Sequence, residues 1–136
     1  MSEKPKAESI AKQGVTLYGI PNCDMVKKAR TWLMEHGIAF RFHDFKKDGL
    51  TSTTVEKWLE SLSVDILINR KGTTWRALSD IEKTSADHIP SAIALMLASP
   101  SIIKRPVLQR AGSSSKNENE FMVGFSADQY KSFFKK

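Results

Sequence analysis

The stretch YGIPNCDMVKKAR, residues 18–30, contains the only cysteine of the 136-residue chain and marks the passage from a strand to a helix. Just before it, residues 15–20 (VTLYGI) are β-branched and aromatic and lie between Gly14 and Pro21. This pattern predicts a short buried strand. The turn-forming residues that follow it predict that Cys23 stands at the start of the next element.

A helix is predicted over residues 24–36. Its apolar side chains recur at helical spacing, and Gly37 supplies a stop just beyond the last of them. The predicted buried face consists of Val26, Ala29, Leu33 and His36, with Met25 and Trp32 beside it. We expect His36 to be a partly buried packing residue.

Residues 38–45 (IAFRFHDF) alternate between apolar and polar side chains and predict a second strand. A strand, a helix and a strand with short connections form a βαβ unit, in which the two strands run parallel. After this unit the sequence predicts three helices, then two short strands around a polar loop, and finally a helix capped by Ser126. Their predicted ranges are 50–62, 67–78 (broken at Gly72) and 88–99 for the helices, 106–110 and 121–125 for the strands, and 126–136 for the last helix.

The order β-α-β, helices, β-β-α predicts an α/β protein with a thioredoxin-like fold, a mixed four-stranded sheet and an inserted helical subdomain. We expect residues 1–14 to form a flexible N-terminal extension and 15–136 a single domain, with the insertion at about 51–99. A dinucleotide-binding Rossmann fold is excluded, because residues 14–19 hold two glycines and no G-x-G-x-x-G motif.

The composition is that of a globular protein, with 40% apolar and 26% charged residues. The net charge of +6 is spread along the chain, which favours a basic surface and small anionic substrates over nucleic acid. No apolar stretch approaches the roughly 20 residues of a membrane helix, and the N-terminus lacks a secretory signal. Because one cysteine cannot form an intramolecular disulfide, we expect a cytoplasmic protein. We also expect a monomer without a membrane partner.

Cys23 has surroundings that favour an anion. The free N–H groups and the dipole at a helix N-terminus stabilise negative charge, and a thiolate is an anion. Lys27, Lys28 and Arg30 add positive charge nearby, whereas Asp24 opposes them. A reactive thiol is therefore one interpretation, and an inert buried cysteine is the other.

Three segments resemble the ArsC/Spx family, and within it the YffB-type branch: YGIPNCDMVKKARTWL (18–33), IKRPVL (103–108) and FMVGFSADQY (121–130). The resemblance covers about residues 15–135. It implies a thioredoxin-like core with a helical insertion. The arsenate reductases of this family use one nucleophilic cysteine, bind the oxyanion with arginines, and pass the reaction to glutathione and glutaredoxin.

The resemblance also implies roles for single residues. Cys23 matches the nucleophile, and Arg70 in LINRKG and Arg105 in IKRP match two anion-binding arginines. The planar guanidinium suits a tetrahedral oxyanion or a carboxylate. The family's fold implies a cis bond before Pro106. The residues expected to line the substrate site are Asn22, Lys27, Lys28 and Pro106, and no metal ligands are expected.

The chain departs from the family pattern at two positions. The third arginine of the arsenate reductases falls near Gly124, so we expect weak or absent arsenate reduction. The Spx regulators carry C-x-x-C, whereas the residue at position 26 is Val, which excludes an intramolecular disulfide switch.

Two functions remain open. The first is a glutathione-dependent thiol reductase that acts on a small anionic or disulfide substrate. It would hold no bound cofactor and would be regenerated by glutathione or a glutaredoxin-type thiol, since the chain has no resolving cysteine. The second is a non-catalytic, Spx-like regulatory or protein-binding module.

Overall fold

The computed structural model describes residues 14–111 and 119–134. One compact unit combines the two ends of the chain, up to Asp44 and from Arg105 onward, and the other comprises Phe45–Lys104. The predicted N-terminal extension, apart from Gly14, and most of the polar loop near residue 115 lie outside the described residues. The described elements are β1 (Val15–Gly19), α1 (Asp24–Glu35), β2 (Arg41–Asp44), α2 (Ser52–Ser61), α3 (Val64–Leu67), α4 (Thr73–Arg76), α5 (Asp80–Ser85), α6 (Ile89–Ala98), a 3-10 turn (Pro100–Ile102), β3 (Val107–Ala111), β4 (Asn119–Val123) and α7 (Ala127–Phe134).

The first unit contains a mixed four-stranded sheet in the order β2-β1-β3-β4. β1 pairs with β2 in parallel, and the β1–β3 and β3–β4 pairs are antiparallel. The predicted fold class is confirmed. β2 begins later than predicted, at Arg41, because the residues before it still form hydrogen bonds with the end of α1. The Ile38 N–H donates to the Leu33 carbonyl at 3.0 Å.

The core of the first unit lies on one face of the sheet. Val15 and Leu17 alternate inward from β1, and α1 covers them with the apolar face that the helical spacing predicts. The fully buried members of this cluster also include one residue each from β3 and α7. They are Val15, Leu17, Val26, Ala29, Leu33, Leu108 and Tyr130.

The prediction for His36 is wrong. Helix α1 ends at Glu35, so His36 is the C-cap residue and its side chain is exposed instead of packed in the core. Its ring stacks on Trp32 with centroids 3.8 Å apart, and its Nδ1 lies 2.8 Å from the Trp32 carbonyl oxygen.

The end of β1 approaches α1 closely at Gly19. A Cβ on Gly19 would lie 2.7 Å from Cγ2 of Val26, which is too close for any side chain. Glycine at this position therefore lets the strand pass directly over the first turns of the helix.

The second unit is helical. Thr51 caps α2, since its Oγ1 accepts a hydrogen bond of 3.3 Å from the Thr54 N–H, and Val55 and Trp58 of α2 are fully buried. Helix α6 also lies where it was predicted, with Pro90 in its first turn. Of the three tryptophans, Trp58 and Trp75 are buried in this unit.

The helix predicted over residues 67–78, broken at Gly72, is wrong before the break and confirmed after it. Residues 68–71 are not helical, whereas Gly72 is the N-cap of α4. The reason is a distant contact: Ile68 forms an antiparallel bridge with Ile103, and the Asn69 N–H donates to the Ile102 carbonyl at 2.8 Å. Helix α5 was not predicted, although Ser79 and Glu82 form a capping box at its start.

Among the helices of residues 14–111 and 119–134, none has the length and apolar character to cross a bilayer.

Candidate active site around Cys23

The ends of the strands bring the predicted site residues of the first unit to one edge of the sheet. β1 ends at Gly19 and leads into the Cys23 loop. Antiparallel β3 begins at Val107 opposite Tyr18, so the Arg105–Pro106 segment before it lies at the same edge. Val123 at the end of β4 also pairs with Val107, which places Gly124 there too.

Cys23 is the N-cap residue of α1. Its backbone is extended (φ −100°, ψ 128°), and its carbonyl accepts the first helical hydrogen bond, 2.9 Å from the Lys27 N–H. The thiol makes no capping hydrogen bond, and the residue is half-buried beside the apolar core. The N–H groups of the first helical turn have no acceptor within the helix, so they are available to an anion at this point.

The charged neighbours in the sequence are on the surface. Lys27 and Lys28 are exposed, as is Asp24 in the first turn of α1. Asn22 is exposed in the turn that precedes Cys23. Their positions are compatible with the roles predicted for them at the mouth of a site, and those roles stay predictions.

The peptide bond between Arg105 and Pro106 is cis. Arg105 is half-buried and Pro106 is buried. The Pro106 carbonyl accepts a hydrogen bond of 2.8 Å from the Gly124 N–H. Gly124 has a positive φ of 84°, and a Cβ built on it would find no atom within 4 Å. The edge of the sheet beside Pro106 is therefore open at this residue.

Arg70 belongs to the second unit and has its own local partners. Its guanidinium donates to the Asp65 carboxylate at 2.8 Å and lies over the Trp75 ring, 5.0 Å from the centroid. The grouping of Arg70 with Cys23 therefore remains a prediction from the family resemblance.

Asp65 and the Gly124 N–H are features that reasoning from the sequence missed. Asp65 precedes Arg70 by five residues, a spacing that does not bring side chains together on a helix. The pair forms because the chain leaves the helix after Leu67. The Gly124 N–H could have been suspected from the glycine at the end of a predicted strand.

Tyr18, in the strand that leads to Cys23, has a structural role. Its hydroxyl donates to Gln109 Oε1 at 3.0 Å, and its ring lies 4.9 Å from that of His43. Burial raises the pKa of Tyr18, and the charge of Arg41 partly offsets this effect. The hydroxyl therefore stays protonated at neutral pH and links β1 to β3.

Relatives in the sequence collections include regulators as well as a protein without an assigned role. An uncharacterised protein of Haemophilus influenzae is 35% identical over 120 residues, which cover 88% of this chain and 98% of that protein. The global transcriptional regulator Spx of Streptococcus pyogenes is 27% identical over 124 residues, with 88% and 84% covered.

Solved structures match over a similar share of the chain. The YffB protein is 43% identical, covers 87% of this chain and 96% of its own, and superposes with a TM-score of 0.74. An arsenate reductase (ArsC) related protein of Brucella melitensis is 44% identical, with 90% and 96% covered and a TM-score of 0.65. The model of the ArsC family matches residues 18–133. With the fold, the placement of Cys23 and these matches in agreement, the chain belongs to the ArsC family.

Proposed function

We propose that this protein is a thiol reductase in which Cys23 is the nucleophile and glutathione is the reductant. The observation that carries the proposal is the position of Cys23, half-buried at the N-cap of α1 and at the same sheet edge as Arg105 and Pro106. Membership of the ArsC family and the similarity to an arsenate reductase related protein support a reductase.

The proposed reaction is a pair of thiol–disulfide exchanges. The Cys23 thiolate attacks the glutathionyl sulfur of a mixed disulfide, the old S–S bond breaks, and the released thiolate takes a proton from water. A second glutathione thiolate then attacks the glutathionyl sulfur of the Cys23–glutathione mixed disulfide. The S–S bond to Cys23 breaks, glutathione disulfide leaves, and the Cys23 thiolate is restored. The external thiol is required because the chain has no second cysteine.

The other residues would act through charge and shape. The N–H groups at the start of α1 and the guanidinium of Arg105 would stabilise the Cys23 thiolate. Arg70 would bind the anionic part of the substrate, since the paired N–H donors of its planar guanidinium match carboxylates and oxyanions. Asn22, Lys27, Lys28 and Pro106 would line the entrance.

The proposal includes the setting of the protein. We propose a monomer in the cytoplasm that needs no bound cofactor and uses glutathione or a glutaredoxin-type thiol as partner. The substrate is a small anionic molecule or a disulfide. We also propose that residues 15–136 act as a single domain, with the helical insertion at about 51–99.

The test is turnover of a small mixed disulfide of glutathione, followed by NADPH oxidation through glutathione reductase. We expect Cys23→Ser to abolish the enzyme-dependent rate. Arg105→Ala should lose more activity than Arg105→Lys, which keeps the positive charge but loses the planar guanidinium with its paired N–H donors. Arg76→Ala removes an exposed arginine of α4 and is the matched control. Activity that survives in Cys23→Ser would contradict the proposal.

The second candidate is a Spx-like regulatory or protein-binding module, which the similarity to the Spx regulators favours. Such a protein would act without a disulfide switch in the chain, because residue 26, where C-x-x-C has its second cysteine, is a valine. Val26 is part of the buried core. The rate of Cys23 alkylation by iodoacetamide at neutral pH separates the two functions. A rate no faster than that of free cysteine, together with no disulfide turnover, would favour the binding module.

A further inference from the structure

The edge strand β4 of the four-stranded sheet borders an open groove. In the sheet formed by the described residues, β4 stands last in the order β2-β1-β3-β4, so it pairs with β3 on one side only. A cavity of about 510 Å³ lies between β4 and α7, and its volume is within the usual range for ligand sites. The lining residues are Met122, Val123, Asp128, Gln129, Ser132 and Phe133.

The lining residues show how the groove runs. Successive side chains of a strand point to opposite faces of the sheet, so a cavity that contacts both Met122 and Val123 lies along the edge of β4. On α7, Gln129, Ser132 and Phe133 have the spacing of residues that share one face of a helix. The groove therefore has a strand edge as one wall and a helix face as the other, and both belong to the first unit.

The direction of the backbone groups of β4 follows from one hydrogen bond. The register pairs Val123 with Val107, so the next residue, Gly124, lies opposite Pro106. The Gly124 N–H donates to the Pro106 carbonyl at 2.8 Å, which makes this a hydrogen-bonded pair. Hydrogen-bonded and non-hydrogen-bonded pairs alternate along an antiparallel ladder, so this pair determines the state of the others.

Alternate residues of β4 therefore present their N–H and C=O groups away from β3. The backbone groups of Met122 and Glu120 point toward β3, whereas those of Phe121 and Val123 point outward, on the side of the groove. Within residues 14–111 and 119–134, no other backbone group forms a hydrogen bond with these outward groups. The edge of β4 thus offers a short row of donors and acceptors to a further strand.

β4 lacks the features that usually protect a sheet edge, which are lysine, proline or a bulge. Its sequence is NEFMV, and its five residues pair one to one with β3 without a bulge. The one charged side chain, Glu120, pairs with Arg110 of β3. The opposite edge strand, β2 (RFHD), begins with an arginine and ends with an aspartate. β4 is therefore the edge that is better suited to pairing.

The charge of the groove indicates which occupant it favours. Among the described residues, Asp128 is the one charged member of the lining, and it forms no ion pair. It is exposed in the first turn of α7. A carboxylate in the groove favours a basic side chain in the occupant. The net charge of +6 of the chain opposes the approach of a second copy.

We propose that the groove between β4 and α7 binds an extended segment of another protein, which adds a fifth strand to the sheet. The outward backbone groups of Phe121 and Val123 form hydrogen bonds with the main chain of this segment. Its apolar side chains contact Met122 and Phe133, and a lysine or arginine pairs with Asp128. The inference goes beyond the proposed reductase function, because no residue of the groove is assigned to the reductase site.

The probe is a synthetic seven-residue peptide with valine, lysine and valine at its even positions and threonine at its odd positions. One side of the extended peptide then carries the apolar and basic groups that the groove favours. Binding to the full chain is followed by nitrogen–proton correlation spectra and by hydrogen exchange of the β4 amides. In the free protein, the Phe121 and Val123 amides should exchange fast and the Met122 amide slowly. Saturating peptide should slow the exchange of the outward pair.

A second peptide tests the charge of the groove. It carries glutamate in place of lysine and should bind about fivefold more weakly, which corresponds to one exposed ion pair. Asp128→Asn should remove most of this difference between the two peptides. Asp80→Asn is the matched control, because Asp80 is likewise an exposed carboxylate in the first turn of a helix. It should leave the difference unchanged.

Two variants of one residue test the backbone contact. Phe121→Pro removes the outward N–H and places the proline ring where the added strand would lie, so binding should weaken about tenfold. Phe121→Ala keeps the N–H and should bind much more tightly than Phe121→Pro. Both variants leave the bonds between β4 and β3 in place, and urea denaturation checks that they fold. If Phe121→Pro does not fold, the exchange pattern and Asp128→Asn still test the proposal.

Four outcomes would overturn the proposal. The first is slow exchange of the Phe121 and Val123 amides in the free protein, since another part of the chain or a second copy would then occupy the edge. The second is the absence of saturable binding of the lysine peptide. The third is saturation without slower exchange at these amides, and the fourth is an Asp128→Asn variant that distinguishes the two peptides as the wild type does.

Failure of this proposal can be told apart from failure of the reductase function. Cys23→Ser should bind the lysine peptide as tightly as the wild type, whatever its effect on disulfide turnover. Asp128→Asn should weaken binding of the lysine peptide and leave disulfide turnover unchanged.

Discussion

The backbone N–H of Gly124 donates a hydrogen bond of 2.8 Å to the carbonyl oxygen of Pro106. The bond ties the end of β4 to the residue before β3, at the sheet edge where β1 leads into the Cys23 loop. Gly124 has a positive φ of 84°, and nothing lies within 4 Å of a Cβ placed there. Backbone strain, and not lack of space, therefore restricts which residues this position accepts.

Replacement of Gly124 should affect both stability and the reaction of the thiol. Gly124→Ala should lower the free energy of unfolding by about 1 kcal/mol, because alanine is strained at positive φ. Gly37→Ala is a matched control: its φ is 68°, its surroundings are equally open, and it follows the far end of α1. Urea denaturation should give similar losses for both variants.

Only Gly124→Ala should also change the rate at which Cys23 reacts with glutathione disulfide. A backbone shift that relieves the strain at residue 124 would disturb its hydrogen bond to Pro106, at the sheet edge where β1 leads into the Cys23 loop. The rate is measured by release of glutathione under matched conditions for both variants. Equal rates in Gly124→Ala and Gly37→Ala would show that the Gly124–Pro106 contact does not influence the thiol.

Arsenate should be a poor substrate. The third arginine expected from the family resemblance falls near Gly124, which has no side chain to bind an oxyanion. The assay is arsenate-dependent NADPH oxidation coupled through glutathione, glutaredoxin and glutathione reductase, with Cys23→Ser as the blank. We expect turnover far below the typical enzyme value of about 10 per second. Turnover at that typical rate would mean that two arginines suffice.

Tyr130→Phe should stabilise the protein at neutral pH. The Tyr130 side chain is fully buried against Phe125 and Trp32, and its hydroxyl has no hydrogen-bond partner among the described residues. Removing an unsatisfied hydroxyl should raise the free energy of unfolding by up to about 1 kcal/mol. Tyr18→Phe is the control, since it deletes the hydrogen bond to Gln109 and should lower stability by about 0.5–1.5 kcal/mol.

The same variant should change the response to alkaline pH. Burial raises the pKa of Tyr130 above its ordinary value of about 10, so the unfolded chain loses this proton at lower pH than the folded chain does. Stability is therefore unaffected by this group below about pH 10 and falls as the pH rises further. Tyr130→Phe should show a smaller loss of unfolding free energy between pH 9 and about 11. Parallel curves for the two proteins would contradict a buried, protonated hydroxyl.

Arg110→Met should destabilise the first unit by about 1–2 kcal/mol. The guanidinium donates from Nε to Glu120 at 2.8 Å and from Nη1 to the Phe133 carbonyl at 2.7 Å, and it lies 4.3 Å from the Phe133 ring centroid. It thus joins β3, β4 and the end of α7, where a cation also favours the helix dipole. Arg76→Met is the exposed control and should change stability by less than about 0.5 kcal/mol. Thermal unfolding of the two variants gives the comparison.

The strand, turn and helix around Cys23 could be predicted because each depends on local patterns. The alternation of β1, the turn residues and the helical spacing of Val26, Ala29 and Leu33 all lie within about 20 residues of one another. The parallel pairing of β1 with β2 follows from the short connection through α1. The start of α1 at Asp24, and hence the position of the thiol at its N-cap, was already determined by these patterns.

The break between α3 and α4 and the partners of Arg70 were decided by tertiary structure. A bridge between Ile68 and Ile103 overrides the helix predicted for residues 68–71, and no pattern near Ile68 indicates that partner. The same contact holds Lys104 beside the segment that carries Asp65 and Arg70, since the Lys104 N–H donates to the Leu67 carbonyl at 2.7 Å. Local spacing determines which face a side chain occupies, whereas pairing between distant segments depends on how the whole chain packs. The sequence therefore determined the placement of the cysteine, and only the folded structure decided which charges surround the arginine.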